Sequence, residues 1–200
     1  MNKIGVLGGS FDPIHLGHIS LAKEALVQAG LSQVIFMPVH QQPFKLDVAL
    51  ASDEDRLAML REVVAEEPGL EVSDLEITNQ GISYTYLTLQ TLKAQHPETK
   101  IYFITGTDSF LKINIWKNAE ELLVENTFII GHRPGYREQE LLLRVDEMKK
   151  LYQTEIVVMN NRRLDISATK IREMVASGQP ISQFVPARVE RYIKTHGLYR

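Results

Sequence analysis

The chain has 200 residues, 44% of them hydrophobic and 24% charged, with a net charge of −3 and no cysteine. This is the composition of one soluble globular domain able to bury a sizeable core, and it excludes a disulfide framework, a thiolate metal site and a cysteine nucleophile. The mildly acidic balance supplies no overall basic field for nucleic acid, and no stretch reaches ~18 uninterrupted apolar residues, so neither nucleic acid nor a membrane is an expected partner.

The amino terminus reads as no secretory signal, because its apolar run stops at Gly8 and Asp12 follows. A cytoplasmic protein is expected, and association into a homo-oligomer is left open. IGVL (4–7) reads as a buried strand, and HISLAKEALVQAG (18–30) as a helix closed by Gly30. VIFMP (34–38) is a second strand ended by Pro38, and VHQQPFKLDVALA (39–51) lacks a period and reads as a loop. SDEDRLAMLREVVAEE (52–67) begins with a Ser52/Asp53 cap and sets Leu57, Leu60, Val63 and Val64 on one face.

LEVSDLEI (70–77) is expected to be extended, and SYTYLTLQTLKAQ (83–95) helical, stopping before Pro97. IYFITG (101–106), TFIIG (127–131) and EIVVM (155–159) are further strands, separated by helices over NAEELLVEN (118–126) and REQELLLRVDEMKKLY (137–152). ISATKIREMVASG (166–178) and PARVERYIKTHG (186–197) are terminal helices, each closed by glycine. Strands alternating with helices predict an α/β fold, a doubly wound and mostly parallel sheet with C-terminal helices. Residues 132–150 are the weakest stretch and are read as an excursion from the core, over the site or at a subunit contact.

The chemistry is concentrated in GGSFDPIHLGH (8–18), between the first strand and the first helix. In a parallel α/β sheet, ligands lie beyond the carboxyl ends of the strands, against helix amino termini. Gly8 and Gly9 allow close backbone approach or a positive φ. His15 and His18, three residues apart, fall on one helical face near its positive end, where phosphate oxygens bind. Gly17 clears space between them. Two surface histidines on a tight turn are the plainer alternative. Near the other end, Ser167 and Thr169 of ISATKIR start a helix, and Arg172, one turn in, offers a planar fork to phosphate. Lys170 adds charge or faces solvent.

GGSFDPIHLGH resembles the HxGH signature of the nucleotidyltransferase superfamily, and ISATKIR is similar to its ISxTxIR signature, about 150 residues on. SYTYLTL (83–89), ITGTDSF with Trp116 (104–116), RPGY (133–136) and GLYR (197–200) resemble stretches of the bacterial nicotinate-mononucleotide adenylyltransferases. The resemblance implies a Rossmann-like nucleotidyltransferase domain spanning 1–200, its last ~35 residues a helical part carrying ISxTxIR. It implies transfer of the adenylyl group of ATP to nicotinate mononucleotide, with Mg2+ accompanying ATP and no protein metal site.

By the same resemblance His15, His18 and Arg172 are the catalytic phosphate contacts. Gly8, Gly9, Ser10, Phe11, Gly106, Asp108, Ser167 and Thr169 border ATP, with Asp108 on ribose hydroxyls; a helix N-cap is the other reading of Asp108. Lys45, Thr85 and Trp116 hold the mononucleotide, Trp116 by stacking on the pyridine ring; plain packing is the other reading of Trp116, and a solvated loop lysine that of Lys45. The family's PNxxPPHK loop is here PVHQQPFK (38–45): Val39 stands for Asn, Gln42 for Pro and Phe44 for His. His40 is four positions from the missing histidine. Rival readings are an adenylyltransferase of this fold with another acceptor (nicotinamide mononucleotide, phosphopantetheine or flavin mononucleotide) and a nucleotide-binding regulator without turnover.

Overall fold

Six parallel strands form one sheet in the order β3-β2-β1-β4-β5-β6. They are β1 (Asn2–Gly9), β2 (Gln33–Pro38), β3 (Leu70–Val72), β4 (Thr99–Gly106), β5 (Thr127–His132) and β6 (Ile156–Asn160). The helices are α1 (Leu16–Gln28), α2 (Asp53–Val64), α3 (Leu75–Thr78), α4 (Thr85–Gln95), α5 (Thr107–Phe110), α6 (Ala119–Glu125), α7 (Glu138–Tyr152), α8 (Ala168–Ala176) and α9 (Ala187–His196). These come from a computed structural model that describes residues 2–44, 51–132, 137–160 and 166–200, with Asn160 described in its backbone alone.

Side-chain alternation along each strand divides the core between the two faces of the sheet. Leu7, Val34, Phe36, Tyr102, Ile104 and Ile129 face one way, toward Ile19 and Ala22 of α1, Met59 and Leu60 of α2, Ile171 of α8 and Val189 of α9. Ile4, Val6, Ile35, Phe103, Phe128 and Ile130 face the other, toward Leu89 of α4, Phe110 of α5, Leu122 of α6 and Leu141 of α7. The order reverses between β1 and β4, so chains leave in opposite directions there and open a crevice beyond their carboxyl ends. Gly8, Gly9 and Gly106 stand at those ends.

Some elements differ from expectation for identifiable reasons. The first helix begins at Leu16 rather than His18, with His15 as its N-cap. The segment 70–77 is not extended throughout: β3 pairs with β2 only at Leu70–Val72, and the chain then turns into α3. The short helix α5 and the 3-10 turn Ile113–Ile115 are too brief to carry a period. Helix α7 is no excursion, because Leu141, Val145 and Met148 are buried against the sheet and make it the crossover from β5 to β6. RPGY (133–136) and Lys45 lie outside the described residues.

Candidate active site

The turn from β1 to α1 is held from within by aromatic packing. Phe11 takes a left-handed backbone (φ 47°), and its buried ring meets Phe36 edge-on at 5.4 Å and His18 at 5.0 Å. Gly9 lacks a side chain because that ring occupies the space: a Cβ there would lie 3.2 Å from Phe11. Gly8 is crowded in the same way by Phe103, at 3.3 Å. Neither glycine has a positive φ, so close approach is what both positions require.

His15 and His18 come together, although not as two residues of one helix. His15 caps α1 with extended backbone and its carbonyl accepts the His18 N–H at 3.0 Å. Their rings stack at 3.7 Å with 17° between planes. Burial, and secondly the neighbouring His15, hold the His18 imidazole well below its usual range. The pair is therefore a stacked surface with His18 neutral, not two adjacent cations. The space beside Gly17 belongs to His15, whose Cε1 and Nδ1 would each lie 3.0 Å from a Cβ. The Leu16 N–H donates to the Phe184 carbonyl at 2.9 Å, so the helix terminus offers fewer amides than the sequence reading supposes.

The carboxyl-terminal motif folds onto this turn. Ser167 is the N-cap of α8, its hydroxyl accepting the Lys170 N–H at 3.2 Å, and Thr169 lies in the first turn. Arg172 Nη1 donates to the Asp12 carbonyl at 2.7 Å and stands 3.6 Å from Asp12 Oδ2, while Nη2 reaches Thr169 Oγ1 at 3.4 Å. Lys170 turns away, its Nζ lying 5.7 Å over the Phe184 ring.

Asp12, Arg56 and Tyr199 are the site residues that sequence reasoning missed. Asp12 is fully buried, and its Oδ1 accepts the Tyr199 hydroxyl at 2.7 Å and the Ala51 N–H at 3.1 Å. Burial, followed by the Asp12 hydrogen bond and charge, raises the Tyr199 phenol and keeps it a donor. Arg56, 1% exposed, donates to the Ser10 carbonyl at 2.8 Å and to Ala51, and pairs with Asp53. A buried aspartate following the glycines and a final tyrosine in GLYR were the available signals, but only the fold brings them into contact.

Beside the histidine turn lies a cavity of about 350 Å3. Gly8, Gly9, Phe44, Thr85, Phe103 and Trp116 are among its walls, so the structure brings the predicted glycines, Thr85 and Trp116 to one space. Trp116 packs edge-on to Phe103 at 6.0 Å, and Thr85 opens α4. Phe44, 55% exposed, stands at this cavity. Gly106, whose missing side chain would meet nothing within 4 Å, caps α5. Asp108 is therefore in the first turn rather than at the N-cap, and its Oδ1 accepts from Arg137 Nη1 at 3.3 Å. Among the described residues, no cluster of three or more His, Asp or Glu side chains forms a metal site, and no helix is long and apolar enough to cross a membrane.

The chain matches the cytidylyltransferase-like family over residues 6–174. It is 39% identical to a probable nicotinate-nucleotide adenylyltransferase of Carboxydothermus hydrogenoformans, with 99% of this chain and 98% of the relative covered. It is 36% identical to a protein of the same name from Clostridium novyi over the whole of both chains. Its fold is similar to that of Plasmodium falciparum nicotinic acid mononucleotide adenylyltransferase complexed with NaAD, with a TM-score of 0.83, 23% identity, and 100% and 98% of the two chains covered. Two motifs joined through Asp12 and Arg172 at the crevice of a parallel sheet, together with full-length relatives, place the chain in the nicotinate-nucleotide adenylyltransferase family.

Proposed function

We propose that this chain transfers the adenylyl group of Mg-ATP to nicotinate mononucleotide, giving nicotinate adenine dinucleotide and pyrophosphate. An oxygen of the acceptor's 5′-phosphate attacks the α-phosphorus of ATP, the bond from that phosphorus to the bridging oxygen of the β-phosphate breaks, and pyrophosphate leaves with the electron pair. Such a transfer needs in-line positioning and donors for spreading charge, with no covalent enzyme intermediate. The observation that carries the reading is the contact of Arg172 with Asp12, which brings ISATKIR against the histidine turn beside a cavity lined by Thr85 and Trp116.

In this reading Gly8, Gly9, Ser10 and Phe11 border the nucleotide, and the stacked His15 and His18 rings donate N–H groups to the phosphates. A neutral imidazole still carries one such donor. Ser167 and Thr169 face the phosphates from α8, where Arg172 offers the N–H groups that Asp12 does not take. Gly106 and Asp108 meet the adenosine. Lys45 supplies counter-charge for the acceptor, whose pyridine ring stacks on Trp116 with its carboxylate near Thr85 and the start of α4. Mg2+ enters on the phosphates of ATP. Asp12, a fully buried carboxylate at the turn, accepts from Ala51 and Tyr199 at Oδ1 and has Arg172 3.6 Å from Oδ2.

Pyrophosphate release from Mg-ATP is measured in parallel with nicotinate mononucleotide, nicotinamide mononucleotide, phosphopantetheine and flavin mononucleotide. Fast release with the first is expected. Release with phosphopantetheine or flavin mononucleotide alone would reassign the acceptor, and release with none would refute the transfer.

A further inference from the structure

One wall of the cavity holds a carboxyl group that the proposed chemistry does not use. Glu76 in α3 is 9% exposed and lines both the 350 Å3 cavity and a neighbouring one of about 230 Å3. Three segments converge on it. The Thr88 hydroxyl, from α4, lies 2.5 Å from Glu76 Oε1. The Ser83 hydroxyl borders the same carboxyl group and accepts the His40 backbone N–H at 3.1 Å. The Ser83 N–H in turn donates to the Gln41 carbonyl at 2.9 Å. Glu76 thereby joins α3 to the turn that opens α4 at Thr85 and to the 39–44 segment carrying Val39 and Phe44, all on the same cavity.

The hydroxyl hydrogens around Glu76 bear on its state: Ser83, which accepts from the His40 N–H, keeps its own hydrogen for the carboxyl group, whereas Thr88 has two claims on one. Thr88 Oγ1 has one hydrogen and two acceptors in reach, Glu76 Oε1 at 2.5 Å and the Tyr84 carbonyl at 3.3 Å. An ionised Glu76 leaves one of these contacts without a proton. A protonated Glu76 donates to Thr88 Oγ1, and the hydroxyl then donates to Tyr84, the usual backbone bond of a helical threonine. The second oxygen, Oε2, is buried and makes no hydrogen bond of ordinary length among the described residues, which a carbonyl oxygen tolerates better than a carboxylate. Burial raises the Glu76 pKa, and the Thr88 and Ser83 hydroxyls do not offset it. Of the titratable groups around it, Tyr84 and Lys117 stand on the cavity walls, and His40 directs its ring to Asp53 at 2.5 Å.

We propose that Glu76 is a positioning residue that works as an un-ionised acid: by donating to Thr88 it ties three cavity walls together and keeps negative charge away from the acceptor's carboxylate. The proposal rests on the adenylyl-transfer reading above. Two carboxylates sharing one apolar site disfavour each other's ionisation, so the cavity loses affinity for nicotinate mononucleotide as Glu76 ionises. Nicotinamide mononucleotide, neutral at that end, escapes the repulsion. Because the proton is held more tightly in the folded than in the unfolded chain, the stability it contributes is present in acid and lost as pH rises through the folded value.

The test is the KM for nicotinate mononucleotide, nicotinamide mononucleotide and ATP across a pH series, for wild type, E76Q and E76A, with thermal unfolding in the same buffers. In wild type, the KM for nicotinate mononucleotide is expected to rise about tenfold over one unit above the Glu76 ionisation, with kcat and the ATP KM nearly flat. E76Q, a neutral donor at every pH, keeps the acid-side KM throughout and gains thermal stability over wild type as pH rises. E76A raises the KM for both acceptors at all pH values. A pH slope in E76Q equal to that of wild type, or E76Q as impaired as E76A in acid, overturns the proposal. Wild type releasing no pyrophosphate with any pyridine mononucleotide would overturn the transfer reading instead, and the unfolding series would still judge whether Glu76 is protonated.

Discussion

Replacing Gly17 with alanine separates the geometry of the histidine pair from the stability of the helix that carries it. Gly17 is the second residue of α1, where alanine is the better helix former by up to about 1 kcal/mol. The added Cβ would lie 3.0 Å from both Cε1 and Nδ1 of His15, a few tenths of an ångström inside ordinary contact. His15 has little room to retreat, because its ring also stacks on His18 at 3.7 Å. Where a 1 Å misplacement at a reacting centre costs about 10²-fold, a displacement of about 0.4 Å costs roughly five- to tenfold in kcat. Steady-state kinetics and thermal unfolding of G17A check this together. The expected outcome is a kcat lower by that factor with Tm unchanged or slightly raised. Full activity would refute the argument that the two rings must keep this stack, and a large fall in Tm would show that the clash is relieved through the backbone.

Arg172→Ala removes the donor to the Asp12 carbonyl and the cation beside its buried carboxylate. A loss of about 1–3 kcal/mol in denaturant unfolding is expected, with kcat reduced by orders of magnitude and no recovery in Arg172→Lys, which lacks the planar fork. Tyr199→Phe deletes the 2.7 Å hydrogen bond to Asp12 Oδ1. About 1.5–3 kcal/mol of stability should be lost, with a smaller effect on the ATP KM; an unchanged unfolding midpoint would show that the terminal contact carries no free energy. His18→Ala is expected to lower kcat by orders of magnitude with modest loss of stability. Since burial lowers the His18 pKa, the unfolded chain binds this proton first on acidification, so wild-type stability should fall as pH drops below about 6.5. Subtracting the same series for His18→Gln isolates that slope, and identical curves would disprove it.

Features set by local chemistry are legible in the chain alone. Apolar runs such as VIFMP and IYFITG are short, bounded and buried on both faces, which leaves a parallel α/β sheet as their natural arrangement. The Ser52 and Ser167 caps were legible because a cap is a bond between residues three apart. The motif pair and its likeness to a family were legible for the same reason, being local strings.

The partners of those strings come from the fold. Asp12 reads as a turn residue until Arg172 and Tyr199, 160 and 187 positions away, close on it. Gly17 reads as space for an anion until His15 fills it, and Glu76 reads as part of an extended segment until α3 turns it toward Thr88. The physical reason is common to all three. Burial of a charged group, the direction of a ring and the number of protons available to a hydroxyl depend on groups brought near by the sheet, and no spacing along the chain encodes them.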